Sequence, residues 1–452
     1  MPASAQHENT HEHLRQLSKS LESGALSRVK QQINDLHSAE IASLLESLPL
    51  KNRLIVWKLI DPDLTGDILV EVNDEVRLGL IEQTDDQDLI TAAGSLETDD
   101  LADIFDDLPD VVLHQVVRSM SNQDRRRLQS VMSYDEDSAG GLMNPDMISI
   151  RPNVNLDVVL RYLRQRGELP ANTDKLFVVN KNNRFIGALN ISDLLTQSSK
   201  KSVADVMFTE EKALSPTLSD NDVALFFEDY NLVSAAVVDE NDRLIGRITI
   251  DDVVDVIRDE ADRSILSIAG LDEDDDMFAP VVRSAKRRAV WLGINLFTAF
   301  LAAWVIGLFS ATIEQIVALA VLMPIVASMG GIAGSQTLML VIRGIALNQI
   351  GKTNARWLLW KELAVGALNG ILWATVVALI TGLWFQSVPL GLLIAAAMII
   401  NLIAAALAGA TIPILLKRIN IDPALAGGVV LTTITDVIGF VSFLGLATIF
   451  LI

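Results

Sequence analysis

The sequence predicts a multidomain α + α/β protein: an all-α superhelical N-terminal domain, a tandem of βαββα units, and a polytopic α-helical membrane domain with five transmembrane helices. Three observations carry this. The chain holds 57 Asp and Glu against 36 Lys and Arg in 452 residues. Beyond Arg288 only Glu314, Glu362, Asp422, Asp436, Arg343, Lys352, Arg356, Lys361, Lys417 and Arg418 are charged, so the first 288 residues carry −23 and the rest +2. The last third also contains uncharged runs long enough to cross about 30 Å of hydrocarbon, and the middle of the chain matches itself at a shift of 59 residues.

Composition excludes several classes. With no cysteine, a secreted disulfide scaffold and any thiol metal site or nucleophile are ruled out. A module at −23 repels phosphate, so no nucleic-acid partner is expected. Residues 1–12 are polar without an apolar core, which predicts a disordered tail and no cleavable signal peptide. His7, His11 and His13 in and beside it either chelate a metal or belong to that tail.

Residues 13–138 form the predicted acidic helical domain. Ile41, Leu44, Leu45 and Leu48 recur at helical spacing, and Pro49, Pro62, Gly94 and Pro109 punctuate the pattern into short stacked helices. Acidic residues crowd its later part: Asp99, Asp100, Asp103, Asp106, Asp107 and Asp110. On one continuous helix Asp99, Asp103 and Asp107 would share a face, where like charges repel by a few tenths of a kcal/mol per pair. A solvated acidic surface is the alternative for most of these side chains.

The repeat follows. Val178-Val179-Asn180-Lys181-Asn182-Asn183-Arg184-Phe185-Ile186-Gly187 aligns with Val237-Val238-Asp239-Glu240-Asn241-Asp242-Arg243-Leu244-Ile245-Gly246. Each reads as strand, Asn/Asp-rich turn, strand, then helix. Leu142-Met143-Asn144-Pro145 and Val206-Met207-Phe208 open the two units, placed at 139–200 and 201–262. This tandem resembles a pair of CBS domains, a family that often binds adenine nucleotides through a Gly-x-x-Thr-x-x-Asp run. The second unit has Gly246, Thr249 and Asp252; the first has Gly187, Asn190 and Asp193. The resemblance implies regulation by a ligand, with ATP at Thr249 and Asp252 as one candidate.

A connecting helix is expected over 263–288, and the membrane domain over 289–452. Its predicted spans are about 289–313, 315–342, 363–385, 390–416 and 424–450, the third and fourth separated at Gln386-Ser387-Val388-Pro389. Basic residues flank the segments before the first span, after the second and after the fourth, so the acidic half is expected in the cytoplasm and the C-terminus outside. Asp436 stands near the middle of the fifth span, where a carboxylate costs about 2.5 to 3.5 kcal/mol on insertion scales. It either faces an ion pathway or hydrogen-bonds between helices. No Lys or Arg at mid-membrane depth is available to pair with it. In the second span, Gly330, Gly331, Gly334 and Ser335 either line a pore or serve helix packing, and Thr435 adjoins Asp436. Asn295, Asn369 and Asn401 are polar residues that the sequence does not assign to a pathway.

Taken together, these parts resemble the MgtE family of magnesium channels along essentially the whole chain. Tyr134-Asp135-Glu136-Asp137-Ser138-Ala139-Gly140-Gly141-Leu142-Met143 is similar to the family's join between helical and CBS domains. Asp251-Asp252-Val253-Val254-Asp255-Val256 is similar to its exit from the second CBS unit, and Asp422-Pro423-Ala424-Leu425-Ala426 with Asp436 to its last helix. The resemblance implies a homodimer in membrane lipid, with Asp436 holding hydrated Mg²⁺ in a pore at the dimer axis. It implies cytosolic Mg²⁺ sites drawing on Asp99, Asp103, Asp252, Asp255 and Glu260 with the backbone around Gly140. The plug helix of the family corresponds to 263–288.

Two departures stand out. Ile332 and Ser335 occupy places where many members carry asparagine, which makes the pore entrance less polar. Arg263 and Ser264 replace an acidic pair on the helix leading to the membrane, although Asp272 to Asp276 supply acid nearby. The expected function is a Mg²⁺-selective channel of a bacterial inner membrane, gated by cytosolic Mg²⁺ and not an enzyme. The alternatives are a broader transporter of divalent cations (Co²⁺, Mn²⁺, Ni²⁺) with weakened gating, and a non-transporting nucleotide sensor. No Gly-x-x-x-x-Gly-Lys run is present, which argues against an ATP-driven pump. A coupled carrier would be expected to show more intramembrane ionisable residues than Asp436, often with an inverted repeat.

Overall fold

The computed structural model describes residues 17, 19–21, 23, 25–271, 276–347, 349–351, 353–419 and 421–452. The polar tail, His7, His11, His13 and all of the 272–276 acidic run except Asp276 lie outside the described residues. The chain divides into two compact units, Met1–Asp262 with Asp274–Pro280, and Arg263–Glu273 with Val281–Ile452.

The first unit begins with short helices: α1 (Leu26–Asn34), α2 (Ser38–Glu46), α3 (Leu50–Trp57), α4 (Thr65–Glu71), α5 (Asp74–Ile81), α6 (Asp86–Ser95), α7 (Thr98–Asp103), α8 (Asp110–Ser119) and α9 (Asn122–Val131). Helices this short are marginal alone, so packing sustains them. Helix α2 rests on α4, α4 on α6, α6 on α8, and α7 on α9, which gives the expected superhelical stacking. Ile33, Ile41, Leu45, Val56, Ile68, Leu80, Leu89 and Leu101 fill a continuous core. Pro49 and Pro109 occupy N-cap positions as expected, whereas Gly94 lies inside α6 beside its end. A cap that the sequence reading did not name is Asn73, whose side chain accepts the Val76 N–H at 3.0 Å. One expectation is corrected. Helix α7 stops at Asp103, because Ile104 leaves helical dihedrals and residues 105–107 form a 3₁₀ turn. Asp107 therefore leaves the face shared by Asp99 and Asp103 and pairs with Arg77 at 3.2 Å.

The tandem follows. In its first part, β1 (Ser149–Ile150) lies parallel to β2 (Lys175–Val179), which pairs antiparallel with β3 (Phe185–Asn190); α10 (Leu156–Arg166) and α11 (Ile191–Thr196) complete it. The second part has α12 (Asp220–Tyr230), β4 (Ser234–Val238), β5 (Leu244–Thr249) and α13 (Ile250–Leu266). Its expected first strand is reduced to a single parallel bridge between Leu214 and Val237. Pro216, which has no N–H to donate, stands two residues on and stops the pairing. The repeat is closely kept in conformation at the turns. Asn183 and Asp242 both take φ of 60°, and the side chains of Asn180 and Asp239 each accept from the backbone two residues later at 2.8 Å. Across the pair, the Phe185 N–H donates to Asp242 and the Leu244 N–H to Asn183, at 2.9 and 3.1 Å. Phe177, Val179, Ala188, Ala236 and Leu244 form a core shared by both hairpins. At the opposite end of the strands Lys175 is buried, giving its ammonium to Glu211 at 2.5 Å and to the Ser234 carbonyl at 2.9 Å.

Asp276 also belongs to the first unit. Its carboxylate takes two bonds from Arg53, at 2.7 and 3.0 Å, with the two side chains 6 % and 3 % exposed. Arg53 donates its Nε–H to the Leu45 carbonyl, and the Asp276 N–H donates to Glu75.

Among the described residues the second unit has five helices of membrane-spanning length and composition: α14 (Val281–Gly307), α16 (Ala318–Ala346), α17 (Ala355–Trp384), α18 (Val388–Arg418) and α19 (Pro423–Phe450), with the short α15 (Ser310–Gln315) between the first two. The connecting helix expected over 263–288 is not one element. Helix α13 ends at Leu266, a 3₁₀ turn covers Ser267–Ala269, and Gly270 at φ 70° stops the helix. A Cβ on Gly270 would lie 2.2 Å from the Trp291 ring. Arg283, Lys286, Arg287 and Arg288 instead form the first turns of α14. At 1.5 Å per residue this helix is about 40 Å long, so its basic start extends past a hydrocarbon layer of about 30 Å. Helix α18 is central, packing on α16, α17 and α19, and 56 % of its most apolar stretch is buried against 11 % for α14.

Candidate functional site

In the first unit, α7 and the start of α13 bring acids from distant parts of the chain together. Asp99 and Asp100 stand in the first turn of α7 and Asp103 at its end; Asp251 and Asp252 open α13. Thr249 donates its N–H to Asp252 at 3.2 Å and its hydroxyl to Asp251, with Asp252 as the more distant acceptor of that hydroxyl, so Asp252 holds the strand-to-helix turn while facing the other carboxylates. Burial, then the charges of Asp100, Asp252 and Glu97, pushes the Asp99 carboxyl up to about 8. Burial, then Asp100 and Glu136, pushes Asp103 up to about 7 despite the pull of Arg77; the residue is nonetheless exposed to solvent, which screens these charges and makes that value an upper bound. Asp252 rises to about 7 through burial and Asp251, and Asp100 to about 6 through burial, Glu97 and Asp67. Asp255 is also raised, by burial and then by Glu71. Asp99 Oδ1 is buried with no hydrogen-bond partner. This is an acid cleft short of cationic partners, and a divalent cation would relieve its repulsion. Among the described residues no three acidic or histidine side chains converge closely enough to hold an ion by direct contact.

The sensor residues expected from the sequence are distributed unevenly. Asp99, Asp103 and Asp252 meet, and Asp255 joins them at the edge. Gly140 lies under Tyr134, whose ring would be 2.3 Å from a Cβ placed there, and its N–H donates to the Pro216 carbonyl at 2.9 Å. Glu260 accepts from Asn221 at 3.3 Å, and the largest charges acting on Asp99, Asp103 and Asp252 come from other residues. Asp67, Glu71 and Glu97 were not named from the sequence, and Asp100, Glu136 and Asp251 were named only within acidic runs and motifs, without a site role. The spacing of Asp67 and Glu71, one turn apart, was the available signal, but only the stacking of helices aims α4 at α7.

In the second unit, Asp436 is half-buried on α19, and among the described residues no hydrogen-bond donor or cation reaches its carboxylate. Thr435 is fully buried and its hydroxyl bonds the Thr432 carbonyl of its own helix at 3.0 Å. The small residues of α16 divide between two faces. Gly330 and Gly334 face the packed interior, against Asn401 and Leu431. Gly331 and Ser335 line an open groove of about 590 Å³ with Ser328, Ile332, Gln336 and Met339, and Ile332 is 55 % exposed there. Two polar residues gain roles the sequence did not give them. Glu362 on α17 is 3 % exposed, accepting from the Thr337 hydroxyl at 3.1 Å and from Lys361 at 2.6 Å. Asn401 is completely buried on α18 and donates to the Val326 carbonyl at 2.8 Å.

Known proteins match the chain along its length. A model of the MgtE intracellular N domain matches residues 36–137, the CBS domain matches 139–200 and 203–259, and the MgtE divalent cation transporter model matches 323–446. The magnesium transporter MgtE of Bacillus subtilis is 27% identical over 431 residues, 95% of this chain and 96% of that one. That of Thermus thermophilus is 27% identical over 442 residues, 96% of this chain and 98% of that one. A solved structure of the cytosolic domain of the Mg²⁺ channel MgtE in complex with ATP is 25% identical and covers 54% of this chain and 99% of that chain, at a TM-score of 0.49.

Proposed function

Because the chain belongs to the MgtE family of magnesium transporters, we propose that it is a homodimeric Mg²⁺ channel whose ion site is Asp436 and whose gate responds to cytosolic Mg²⁺ at the acid cleft. The observation that carries the pore assignment is a mid-helix carboxylate in an apolar span with no protein partner among the described residues. Mg²⁺ dehydrates reluctantly and is usually held by one or two carboxylates plus waters. Two Asp436 side chains related by a twofold axis suit that chemistry, accepting hydrogen bonds from the ion's water shell. The ion then moves down its gradient, gaining about 4.6 kcal/mol per 100 mV as a divalent charge.

Gating follows from the cleft. Without Mg²⁺ the carboxylates of α7 and α13 repel, and the compact unit survives by keeping protons on them. Mg²⁺ bound through its waters favours the compact arrangement, and differential binding of this kind shifts the population. The orphaned Asp99 oxygen fits a hydrated ion, which needs acceptors rather than a cage. On this reading the acidic unit lies in the cytoplasm of a bacterial cell and the C-terminus outside. Asp252 is already bonded to Thr249 and crowded by Asp99, so the geometry favours Mg²⁺ over the ATP ribose at that carboxylate.

A second reading, of broader divalent transport, has Ile332 in its favour, since an apolar side chain on the open face of α16 offers no hydrogen bond to an ion's waters. Carboxylate sites admit Mn²⁺ and Co²⁺ as well. The test is flux into liposomes of Mg²⁺, Ca²⁺, Mn²⁺ and Co²⁺ with Asp436→Ala in parallel. Mg²⁺ uptake lost in a variant that still assembles is the expected result; normal uptake by Asp436→Ala refutes the pore assignment.

A further inference from the structure

Asn401 is a polar side chain sealed inside the membrane unit. It is 0 % exposed, and its Nδ2 donates to the Val326 carbonyl of α16 at 2.8 Å. Its Oδ1 is buried with no partner. Both neighbouring helices leave room for it by lacking a side chain: a Cβ on Gly330 of α16 would lie 2.2 Å from Nδ2, and one on Gly439 of α19 would lie 2.9 Å from it. An unpaired amide oxygen buried among apolar helices costs about 1–3 kcal/mol, so the site is a poor choice for packing alone. Gly439 stands one turn after Asp436, three residues on and about 4.5 Å along the helix axis. On α16, Val326 stands five residues before Gly331, and Gly330 five before Ser335, two of the groove-lining positions. Asn401 thus touches both helices that carry the candidate pathway and opens onto neither the groove nor Asp436.

We propose that Asn401 is a positioning residue for cation selectivity: wedged between Gly330 and Gly439 and tied to the Val326 carbonyl, it fixes the distance between α16 and α19 and so the place of the Asp436 carboxylate relative to the open face of α16. The proposal rests on Asp436 as the ion site. A hydrated Mg²⁺ held by the two twofold-related Asp436 side chains must keep its waters in place, so a shift of α19 against α16 moves those carboxylates and changes which ion fits best, not only how fast ions pass.

The experiment is flux into liposomes by the full chain, with Mg²⁺ and Co²⁺ as probes, for Asn401→Ala, Gly439→Ala, the double variant and Asp436→Asn. Interhelical hydrogen bonds in membranes are worth about 0.6–2 kcal/mol, so Asn401→Ala is expected to change the Mg²⁺ to Co²⁺ flux ratio about threefold to thirtyfold. Gly439→Ala, which keeps Asn401 but crowds its amide, should move the ratio in the same direction, and it is the arm to read if Asn401→Ala fails to assemble. A ratio unchanged from wild type in both single variants overturns the proposal. So does recovery of the wild-type ratio in the double variant, since the added methyl would then replace Asn401 merely by filling space. Wild-type flux by Asp436→Asn defeats the ion-site reading itself, whereas loss of flux there with an unmoved ratio in the other variants defeats the role of Asn401 alone.

Discussion

Mg²⁺ entering the acid cleft should expel protons, and its affinity there should fall as the solution is acidified. With Asp99 titrating at about 8, Asp103 and Asp252 at about 7 and Asp100 at about 6, the empty cleft at pH 7 carries about two protons in total. The four carboxyls titrate as one coupled set, so the total is the observable rather than any single value. If the ion requires all four charged, affinity weakens at most about twentyfold between pH 8 and pH 7, and more steeply below. The solvent open to Asp103 makes that factor a ceiling. Stability without Mg²⁺ has the matching sign. Each folded value lies above the ordinary 3.8, so the compact unit binds more protons than the unfolded chain between about pH 4 and pH 8. It therefore loses stability as pH rises through that window, and Mg²⁺ should restore it. Calorimetry in two buffers of different ionisation enthalpy counts the protons released, and the Mg²⁺ concentration that half-protects the join around Gly140 from protease gives the affinity. Zero protons released at pH 7, or a protection midpoint that stays flat from pH 6 to pH 8, would refute a cleft built on these carboxyls.

Asp276→Ala should destabilise the first unit by about 3–5 kcal/mol, because Arg53 is left buried and unpaired; the pair Arg53→Met with Asp276→Leu should recover most of that loss in urea unfolding, and equal losses in both would contradict the geometry. In the membrane unit, Glu362→Ala should cost more than Glu362→Gln, which keeps an acceptor for the Thr337 hydroxyl, and thermal stability in detergent measures the difference. Ile332→Asn should raise Mg²⁺ flux by putting a hydrogen-bonding group on the open groove; an unchanged or lower flux would mean that Ile332 does not limit passage.

What the sequence revealed and what it concealed divide along physical lines. The two hairpins of the tandem were legible because Asn and Asp at fixed offsets both bond the turn and tolerate the left-handed conformation, as Asn183 and Asp242 do. The membrane helices were legible because length and lack of charge suffice. Helix ends were less so: Asp107 looked aligned with Asp103 on a helical wheel, and only the break at Ile104 removes it. Contacts between distant segments were hidden, since nothing local in Asp67 or Glu71 says that α4 faces α7. Asn401 was visible as a polar residue in an apolar span, but its meaning depends on glycines 71 residues before and 38 after it.

The mutual donation between Phe185 and Asp242, and between Leu244 and Asn183, has a bearing on how the duplicated unit can be used. Each hairpin closes part of the other's strand border, and their shared core would be split by separation. A single repeat cut from the chain would present a raw β edge beside exposed Phe177 and Leu244, which invites intermolecular strand pairing. The two repeats therefore form one cooperative unit, and a single repeat expressed alone is expected to aggregate or to self-associate through that edge.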